Sequence, residues 1–261
     1  MTGDEIAAAG RELHRARLQR MAVAPLSSRF AGIGVDDAYA ISAQVLDLRL
    51  QGGERLVGKK IGATSRAVQQ RFGVDQPDFG FLTDGMLVSS GDEVAIGTTA
   101  IQPMVEGELG FVLKRDLQGP GITAVDVMRA TDAVMACLEI VDSRIRDWQI
   151  AIADTVADNA SSGWVVLSDQ LIDPRGLDLQ TLGMVQEKNG TVISTGAGAA
   201  VLGSPARCVA WLANALGRHG QSLKAGEVIL SGSFVPVEPV RPGDFVSVRI
   251  GGVGRVSARF V

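Results

Sequence analysis

Three glutamates are the residues of this sequence best suited to binding a metal ion, and two of them form a Glu-Gly-Glu pair. Glu106 and Glu108 alternate with apolar residues in the run 104–113, which predicts a β-strand. Side chains two positions apart share one face of a strand, so the two Cβ atoms stand roughly 7 Å apart. A strand with one solvated face also explains this pair, so the pair alone does not define a site.

The third glutamate, Glu139, lies in the apolar run 134–141, which predicts a strand that is buried on both faces. An ionised carboxylate there is costly unless it is paired with a cation or bound to a metal. One solution is a buried Arg or Lys partner, and the other is a metal ion shared with Glu106 and Glu108. Three carboxylates without a Cys or His cluster favour Mg²⁺ or Mn²⁺ over zinc.

Such a metal, with open coordination positions, favours a substrate that chelates it. A 2-oxo or 2-enol acid offers a carboxylate oxygen and a keto oxygen as a bidentate pair, and the cation would polarise the carbonyl and stabilise an enolate. The sequence therefore predicts a divalent-metal enzyme for a small 2-oxo or 2-enol acid, with Glu106, Glu108 and Glu139 as its ligands.

Two adjacent lysines lie near the end of the short β-like run 56–61. Lys59 and Lys60 point to opposite faces of the predicted strand, so only one of them faces the core side. A surface pair is one interpretation. The other is that one lysine holds a substrate enolate or carboxylate, or moves a proton after its pKa is lowered.

Three polar segments are further candidates for the site. They are residues 73–80, 154–163 and 231–233. The segment 73–80 is rich in turn residues and contains Asp78 between Pro and Phe. The segment 154–163 is a polar loop before a predicted strand and contains Asn159 and Ser161. In the third, Gly232 before Ser233 would let backbone N–H groups approach an anion. Turn formation alone also explains the composition of all three.

Composition argues against several other functions. The formal net charge of −4 disfavours a protein that neutralises nucleic-acid phosphates. The N-terminus predicts an amphipathic helix, and no apolar run is long enough to span a membrane, so we expect a soluble cytoplasmic protein.

Cys137 and Cys208 lie in apolar stretches, which favours buried free thiols. His14 and His219 are flanked by arginine on predicted surface helices, which disfavours a triad with a His base.

The hydrophobic pattern changes along the chain. Apolar residues at helical spacing predict two N-terminal helices, the first with Thr2 and Glu5 at capping-box spacing and the second ending near Gly52. Short β-like runs separated by turn residues follow. The predicted strands are 56–61, 104–113, 134–141, 164–167, 183–188, 191–195, 227–231, 245–250 and 255–261, and further helices are predicted at 123–130 and 204–216. We therefore expect an α+β fold with a helical portion at 1–72 and a β domain at 73–261.

Six motifs fall in order along nearly the whole chain. They are VGKKIG, GVDQPDFGFL, IQPMVEGELGFVL, CLEIVDSRIRDW, DTVADNASSG and TGAGAAVLGSP. Together with the segment 231–233, they resemble the 2-oxopent-4-enoate (2-hydroxypenta-2,4-dienoate) hydratases of the fumarylacetoacetase-like superfamily. Each motif is short and weak alone, but their common order makes chance agreement improbable.

This resemblance implies a mixed β-roll like the fumarylacetoacetase C-terminal domain, a bound Mg²⁺ or Mn²⁺ ion and a set of site residues. The residues it implies are Lys60, Asp78 and Asn159 for catalysis, Ser161, Gly232 and Ser233 for substrate binding, and Glu106, Glu108 and Glu139 for the metal. Lys59 has no such match. It also implies a homo-oligomer and leaves room for association with a homologous decarboxylase, with no nucleic-acid or membrane partner.

The implied reaction is hydration of 2-hydroxypenta-2,4-dienoate to 4-hydroxy-2-oxopentanoate, in the meta-cleavage catabolism of aromatic compounds. Lys60 would supply electrostatic stabilisation or the ketonisation proton, and Asp78 with Asn159 would position the attacking water. The nearest alternative is a 4-oxalocrotonate decarboxylase of the same family. Asp78 and the run 233–236 favour the hydratase, because the decarboxylase resemblance is weaker at both. A C–C bond hydrolase and a metal-stabilised scaffold subunit are the remaining alternatives.

Overall fold

Seven α-helices occur along the described chain, and the first two pack against each other. The structure is a computed structural model that describes residues 1–261, except for the side chain of residue 71. The helices are α1 (Gly3–Gln19), α2 (Val35–Gln51), α3 (Arg66–Phe72), α4 (Ile96–Thr99), α5 (Ala124–Ala130), α6 (Ile152–Ala157) and α7 (Pro205–Gly217). Thr2 and Glu5 form the predicted capping box of α1. A Cβ at Gly10 would lie 2.6 Å from Gln44 Cβ, so glycine allows α1 and α2 to approach closely.

Thirteen strands form two sheets within the described residues. The strands are β1 (Leu56–Gly62), β2 (Asp78–Thr83), β3 (Leu87–Ser89), β4 (Glu93–Val94), β5 (Pro103–Leu113), β6 (Thr131–Asp142), β7 (Ser162–Leu167), β8 (Gly183–Lys188), β9 (Thr191–Ala197), β10 (Val228–Ser233), β11 (Glu238–Pro239), β12 (Phe245–Ile250) and β13 (Gly254–Phe260). The larger sheet has the order β2-β1-β10-β5-β6-β7-β3, with β11 also paired to β5. The smaller sheet has the order β4-β13-β12-β8-β9.

The long antiparallel pair β5 and β6 forms the centre of the larger sheet. On one face of this pair, apolar side chains that include Leu109, Phe111 and Leu138 are fully buried in the main core with α7 and the smaller sheet. Close contact between the sheets requires Gly107, because a Cβ there would lie 2.6 Å from Met184 Sδ and 2.8 Å from Val248 Cγ2. The sheets therefore meet directly behind the Glu-Gly-Glu pair.

The α+β fold and its predicted elements are confirmed, and two local predictions are wrong. Asp78 begins strand β2 rather than lying in a turn, because Phe79 and Phe81 of β2 pair with β1. The first part of the polar loop 154–163 is helical in α6, where Asp154 accepts hydrogen bonds from Ala151 N and from both Ser27 N and Oγ. Both elements depend on partners distant in sequence, which local turn composition does not reveal.

The helical portion and the β domain are joined through the larger sheet. Strand β1 lies before the division expected after residue 72, yet it pairs with both β2 and β10.

Cys137 and Cys208 are buried free thiols. Among the described residues, no helix combines the length and apolar character needed to cross a bilayer.

Candidate active site

The three glutamates singled out in the sequence meet at the centre of the larger sheet. Glu106 on β5 lies opposite Glu139 on β6, and Glu108 lies opposite Cys137. One carboxylate oxygen from each glutamate lies within 4.8 Å of the others. Glu108 and Glu139 are almost completely buried. Side-chain alternation on two paired strands therefore brings three acids to one point.

Burial and repulsion from neighbouring carboxylates raise the pKa values of Glu106 and Glu108. Burial, followed by the charge of Glu139, raises the pKa of Glu106 to about 8. Burial, followed by the charges of Glu139 and Glu106, raises the pKa of Glu108 well above its ordinary value. The Gly232 N–H offsets part of this effect, since it donates a 2.7 Å hydrogen bond to Glu108 Oε2. Protons are therefore held tightly in the metal-free cluster.

Lys60 is the cation that contacts this cluster. Its Nζ atom lies 3.2 Å from Glu139 Oε1 and donates a 3.1 Å hydrogen bond to the backbone carbonyl of Ala160. Burial acts to lower the pKa of Lys60, but the surrounding carboxylates, with Glu139 first and Asp78 second, outweigh it and raise that pKa. Lys60 is therefore held as an ammonium ion.

Asp78 lies beside Lys60 on the neighbouring strand. It faces Gly62 across the β1–β2 pair, and a Cβ at Gly62 would overlap the Asp78 carboxylate and approach Lys60 Nζ to 3.4 Å. The side chain is 4% exposed, and Oδ1 has no hydrogen-bond partner among the described residues. Burial, which Lys60 only partly offsets, raises the pKa of Asp78. Asp78 is thus a buried acid with one oxygen free to bind a proton or a ligand.

Asn159 lies next to the same strand, but its side chain is occupied by backbone. Its Oδ1 accepts a 2.7 Å hydrogen bond from Phe81 N, and its Nδ2 donates a 3.0 Å hydrogen bond to Phe81 O. The residue is 2% exposed. Its carbonyl group therefore already has a backbone partner within the protein.

The three residues expected to contact substrate are close to the site and make internal contacts. The Ser161 hydroxyl lies 3.3 Å from Thr155 Oγ1. The Ser233 hydroxyl lies 3.1 Å from Gly107 O and 2.6 Å from Val235 O. Gly232 has a φ of 103° and supports Glu108, as described above. This turn thus supports the Glu108 carboxylate through the Gly232 N–H.

Lys59 lies on the opposite face of β1, as the alternation of strand side chains requires. Its Nζ atom lies 2.6 Å from Glu227 Oε1, and both side chains are largely buried. The structure therefore separates the two lysines, with Lys60 at the carboxylate cluster and Lys59 in a remote ion pair.

Two contributors to the site were absent from the sequence predictions. The Ala160 carbonyl, which accepts from Lys60, had no signal, because every residue carries a carbonyl group. Gly62 lies within the VGKKIG motif, yet its role depends on Asp78, a residue of another strand. Only the pairing of β1 with β2 shows why glycine is required there.

The arrangement of donors fits a hard divalent cation. Glu139 Oε1 is paired with Lys60, and Glu139 Oε2 is buried and lacks a hydrogen-bond donor among the described residues. Among the described residues, the side chains that could bind a metal ion at this point are all carboxylates. Oxygen-only sites suit Mg²⁺ and Mn²⁺, and a buried carboxylate without a donor is stabilised by such an ion. Glu106, Glu108 and Glu139 are thus suited to hold it.

The profile of the fumarylacetoacetate (FAA) hydrolase C-terminal family matches residues 56–261. The chain therefore belongs to this family. It is 59% identical over 211 residues to 2-hydroxypent-2,4-dienoate hydratase from Pseudomonas putida, a match covering 81% of this chain and 95% of that protein. It is 49% identical over 261 residues to 2-keto-4-pentenoate hydratase from Paraburkholderia xenovorans (strain LB400), covering 100% of this chain and 96% of that protein.

A solved structure extends the comparison to the other branch expected from the sequence. The 4-oxalocrotonate decarboxylase from Pseudomonas putida G7, complexed with magnesium and adipate, matches with a TM-score of 0.97 at 37% identity. The match covers 100% of this chain and 99% of that one. The two hydratases are more similar in sequence, which confirms the hydratase resemblance of the six motifs.

Proposed function

We propose that this chain is a divalent-metal-dependent hydro-lyase that adds water to 2-hydroxypenta-2,4-dienoate and forms 4-hydroxy-2-oxopentanoate. The observation that carries the proposal is the Asp78 carboxylate, which is buried, has one unpartnered oxygen among the described residues, and lies beside Lys60. An enzyme that adds water needs a proton acceptor of this kind near a site that stabilises negative charge. Similarity to two named hydratases supports the substrate.

Hydration of this substrate proceeds in two balanced proton transfers. The dienol first loses its hydroxyl proton and gains one at C5, which gives an α,β-unsaturated ketone. Water then adds at C4, and the proton it loses is balanced by one gained at C3. The net change is the addition of one water molecule, and no oxidant or reductant takes part.

Lys60 and Asp78 have different proposed roles because their surroundings favour the charged form of the lysine and the protonated form of the aspartate. Lys60 is held as an ammonium ion by Glu139 and Asp78, so it is suited to stabilise negative charge on the substrate oxygen rather than to accept a proton. Asp78, with its pKa raised by burial, is suited to accept the proton of the attacking water and return it.

The proposed cofactor is Mg²⁺ or Mn²⁺, held by Glu106, Glu108 and Glu139. When bound, the ion would polarise the substrate carbonyl as a Lewis acid. The 4-oxalocrotonate decarboxylase of similar fold was solved with magnesium, which supports this choice.

The test of the role of Asp78 separates the two proton transfers. Asp78→Asn should slow hydration by roughly 100-fold or more, the usual scale for loss of a general base. Exchange of substrate protons at C3 or C5 in deuterated water, followed by NMR, should survive better than hydration. If the variant loses both activities equally, or loses neither, Asp78 is not the group that handles water.

A decarboxylase is the second candidate, because the 4-oxalocrotonate decarboxylase has nearly the same fold. A matched assay would offer 2-hydroxypenta-2,4-dienoate and 4-oxalocrotonate to the same preparation, following dienol absorbance and CO₂ release separately. We expect hydration without CO₂ release at a comparable rate. Faster release of CO₂ than hydration would assign the chain to the other reaction.

Three further expectations from the sequence are proposals about the protein in its cell. We propose a homo-oligomer, which light scattering of the purified protein would test. Binding to a homologous decarboxylase would be tested by co-purification of the two chains. Cell fractionation would test the cytoplasmic location, and these results bear on the assembly rather than on the reaction.

A further inference from the structure

Two side chains bond to the outer edge of strand β2: the Tyr39 hydroxyl accepts a 3.3 Å hydrogen bond from Phe79 N, and the Asn159 amide bonds to Phe81. Because β2 is the first strand of the larger sheet, one row of its backbone groups faces away from β1. Asn159 hydrogen bonds to both the N–H and the C=O of Phe81, as a neighbouring strand would. The Asn159 amide thus replaces a missing strand three residues along the chain from Asp78.

The turn that contains Asn159 also supports Lys60. Asn159, Ala160 and Ser161 have φ values of 55°, 48° and 56°, a left-handed conformation that is unfavourable for residues other than glycine. Because Lys60 Nζ donates to Ala160 O, this conformation places a carbonyl group at the ammonium ion. One strained turn therefore contacts Lys60 through its backbone and the strand of Asp78 through its Asn159 side chain.

Neighbouring groups hold this turn in place. The buried Arg144 guanidinium donates to the Asp158 carboxylate, to the Asp158 carbonyl and to Ser162 O, so it binds the chain on both sides of the turn. The turn also lies against Gly80, where a Cβ would lie 2.6 Å from Asn159 O. Strain that several independent contacts maintain is typical of a functional position.

We propose that Asn159 is a positioning residue that sets the distance between Asp78 and Lys60, and that its amide does not hold the attacking water. This inference rests on the proposed role of Asp78. Loss of the two hydrogen bonds to Phe81 would leave Tyr39 bonded to Phe79 N but would free the backbone of β2 at Phe81, and so let Asp78 move relative to Lys60. A misplacement of about 1 Å costs up to roughly 100-fold in rate.

The structure supplies a matched control for this test. Asn214 makes the same pair of hydrogen bonds to Ile122, accepting from its N at 2.9 Å and donating to its O at 2.8 Å. This pair joins α7 to the segment before α5 and lies apart from the carboxylate cluster. Asn214→Ala therefore removes an equivalent amide–backbone pair without touching the site.

The experiment compares Asn159→Ala with Asn214→Ala in the magnesium-loaded protein. We expect Asn159→Ala to lower kcat roughly 10- to 100-fold, with KM and the magnesium Kd changed by less than about threefold. The Phe81 amide should exchange with deuterium faster. Asn214→Ala should lower stability to a similar extent and leave kcat within about twofold of the wild type. Asn159→Asp, which keeps the acceptor but not the donor, should fall between wild type and Asn159→Ala.

Several outcomes would overturn the proposal. A higher KM with unchanged kcat would show that the Asn159 amide contacts substrate. Equal losses of kcat in the Asn159 and Asn214 variants would indicate a general loss of stability. If Asn159→Ala does not fold, Asn159→Asp decides, and normal kcat with faster Phe81 exchange would contradict the inference. Full hydration by Asp78→Asn would instead remove the proposed role of Asp78, while Phe81 exchange would still report on the Asn159 contact.

Discussion

At the scale of single residues, the centre of this protein holds more negative charge than its neighbours neutralise. Glu106, Glu108, Glu139 and Asp78 are close together, and Lys60 forms an ion pair with Glu139 and is influenced by the charges of the other three. Four ionised carboxylates and one ammonium ion would leave a buried charge of about −3, which is costly in a low-dielectric interior. The metal-free protein relieves this cost by retaining protons, as the raised pKa values of Glu106 and Glu108 indicate.

Substitution of the three glutamates tests them as ligands. We predict that Glu106→Gln, Glu108→Gln and Glu139→Gln each weaken magnesium binding by roughly tenfold or more, equivalent to about 1.4 kcal/mol. Glu139→Gln should keep or raise the free energy of unfolding of the metal-free protein, because it removes a buried charge. Calorimetric titration and urea unfolding measure the two effects. Unchanged affinity in all three variants would disprove the site.

The pKa of Glu106 predicts how the metal-free protein responds to pH. Burial and the charge of Glu139 raise this pKa to about 8, above the ordinary value for an unfolded chain. The native state then binds the proton more tightly, so its extra stability is present at low pH and is lost as the pH rises through about 8. Urea unfolding of chelator-treated protein should therefore show a decline from about pH 5 to about pH 8.5.

The control for this prediction is Glu106→Gln, which cannot titrate and should show a shallower decline. Magnesium should oppose the trend, since it binds the ionised carboxylates and so gains affinity as the pH rises. A wild-type stability that increases with pH in the absence of metal would contradict the assignment of a raised pKa to Glu106.

At the scale of elements, alternation along one short strand gives two neighbouring lysines separate environments. Strand β1 directs Lys60 to the carboxylate cluster and Lys59 to Glu227. Each lysine is largely buried, so each depends on its own carboxylate partner. Adjacent residues of identical type therefore contribute differently, one to the site and one to the stability of the fold.

The two lysines should respond differently to the same substitution. Lys60→Ala should lower kcat by roughly 100-fold or more, the scale expected when a charge that stabilises a developing anion is removed. Lys59→Ala should chiefly lower the free energy of unfolding, by about 3–5 kcal/mol, because it leaves Glu227 buried without its partner. Steady-state rates and urea unfolding of both variants measure this difference. Equal losses of kcat would leave Lys60 without a special role.

The sequence predicted the elements whose pattern is local and missed those that depend on distant partners. The period-2 spacing of Glu106 and Glu108, and the apolar run around Glu139, were sufficient to predict β5, β6 and the carboxylate cluster. Strand β2 was missed because the turn residues before Asp78 masked its alternation. The contact between Asn159 and Phe81 joins positions 78 residues apart, so no local pattern could reveal it.

At the scale of the whole molecule, the metal is expected to link activity with stability. The three proposed ligands come from β5 and β6, which pair along nearly their full lengths at the centre of the larger sheet. An ion bound there by the native state alone shifts the folding equilibrium towards the native state. Removal of the ion should therefore affect unfolding as well as turnover.

Chelation tests both effects in one preparation. Treatment with a chelator should abolish hydration, and Mg²⁺ or Mn²⁺ should restore it. At a metal concentration of 100 times Kd, the free energy of unfolding should rise by about 2.7 kcal/mol. Ca²⁺ serves as a comparison ion of larger radius in the same experiment. Full activity in the stripped protein would refute the metal requirement.

The site draws its two kinds of chemistry from two regions of the same sheet. The carboxylates lie on the central strands. A side chain at Gly107 would collide there with Met184 and Val248 of the smaller sheet, so substitution at this position is not tolerated without a shift of the sheets. Lys60 and Asp78 come from β1 and β2 at the sheet margin, where the outer edge of β2 is bonded to the Tyr39 and Asn159 side chains rather than to another strand. Substitutions at this margin are therefore expected to alter the outcome of the reaction and to leave the proposed ion-binding carboxylates unchanged. A library confined to β2 and residues 158–162 would search for new catalysts at little risk to metal affinity.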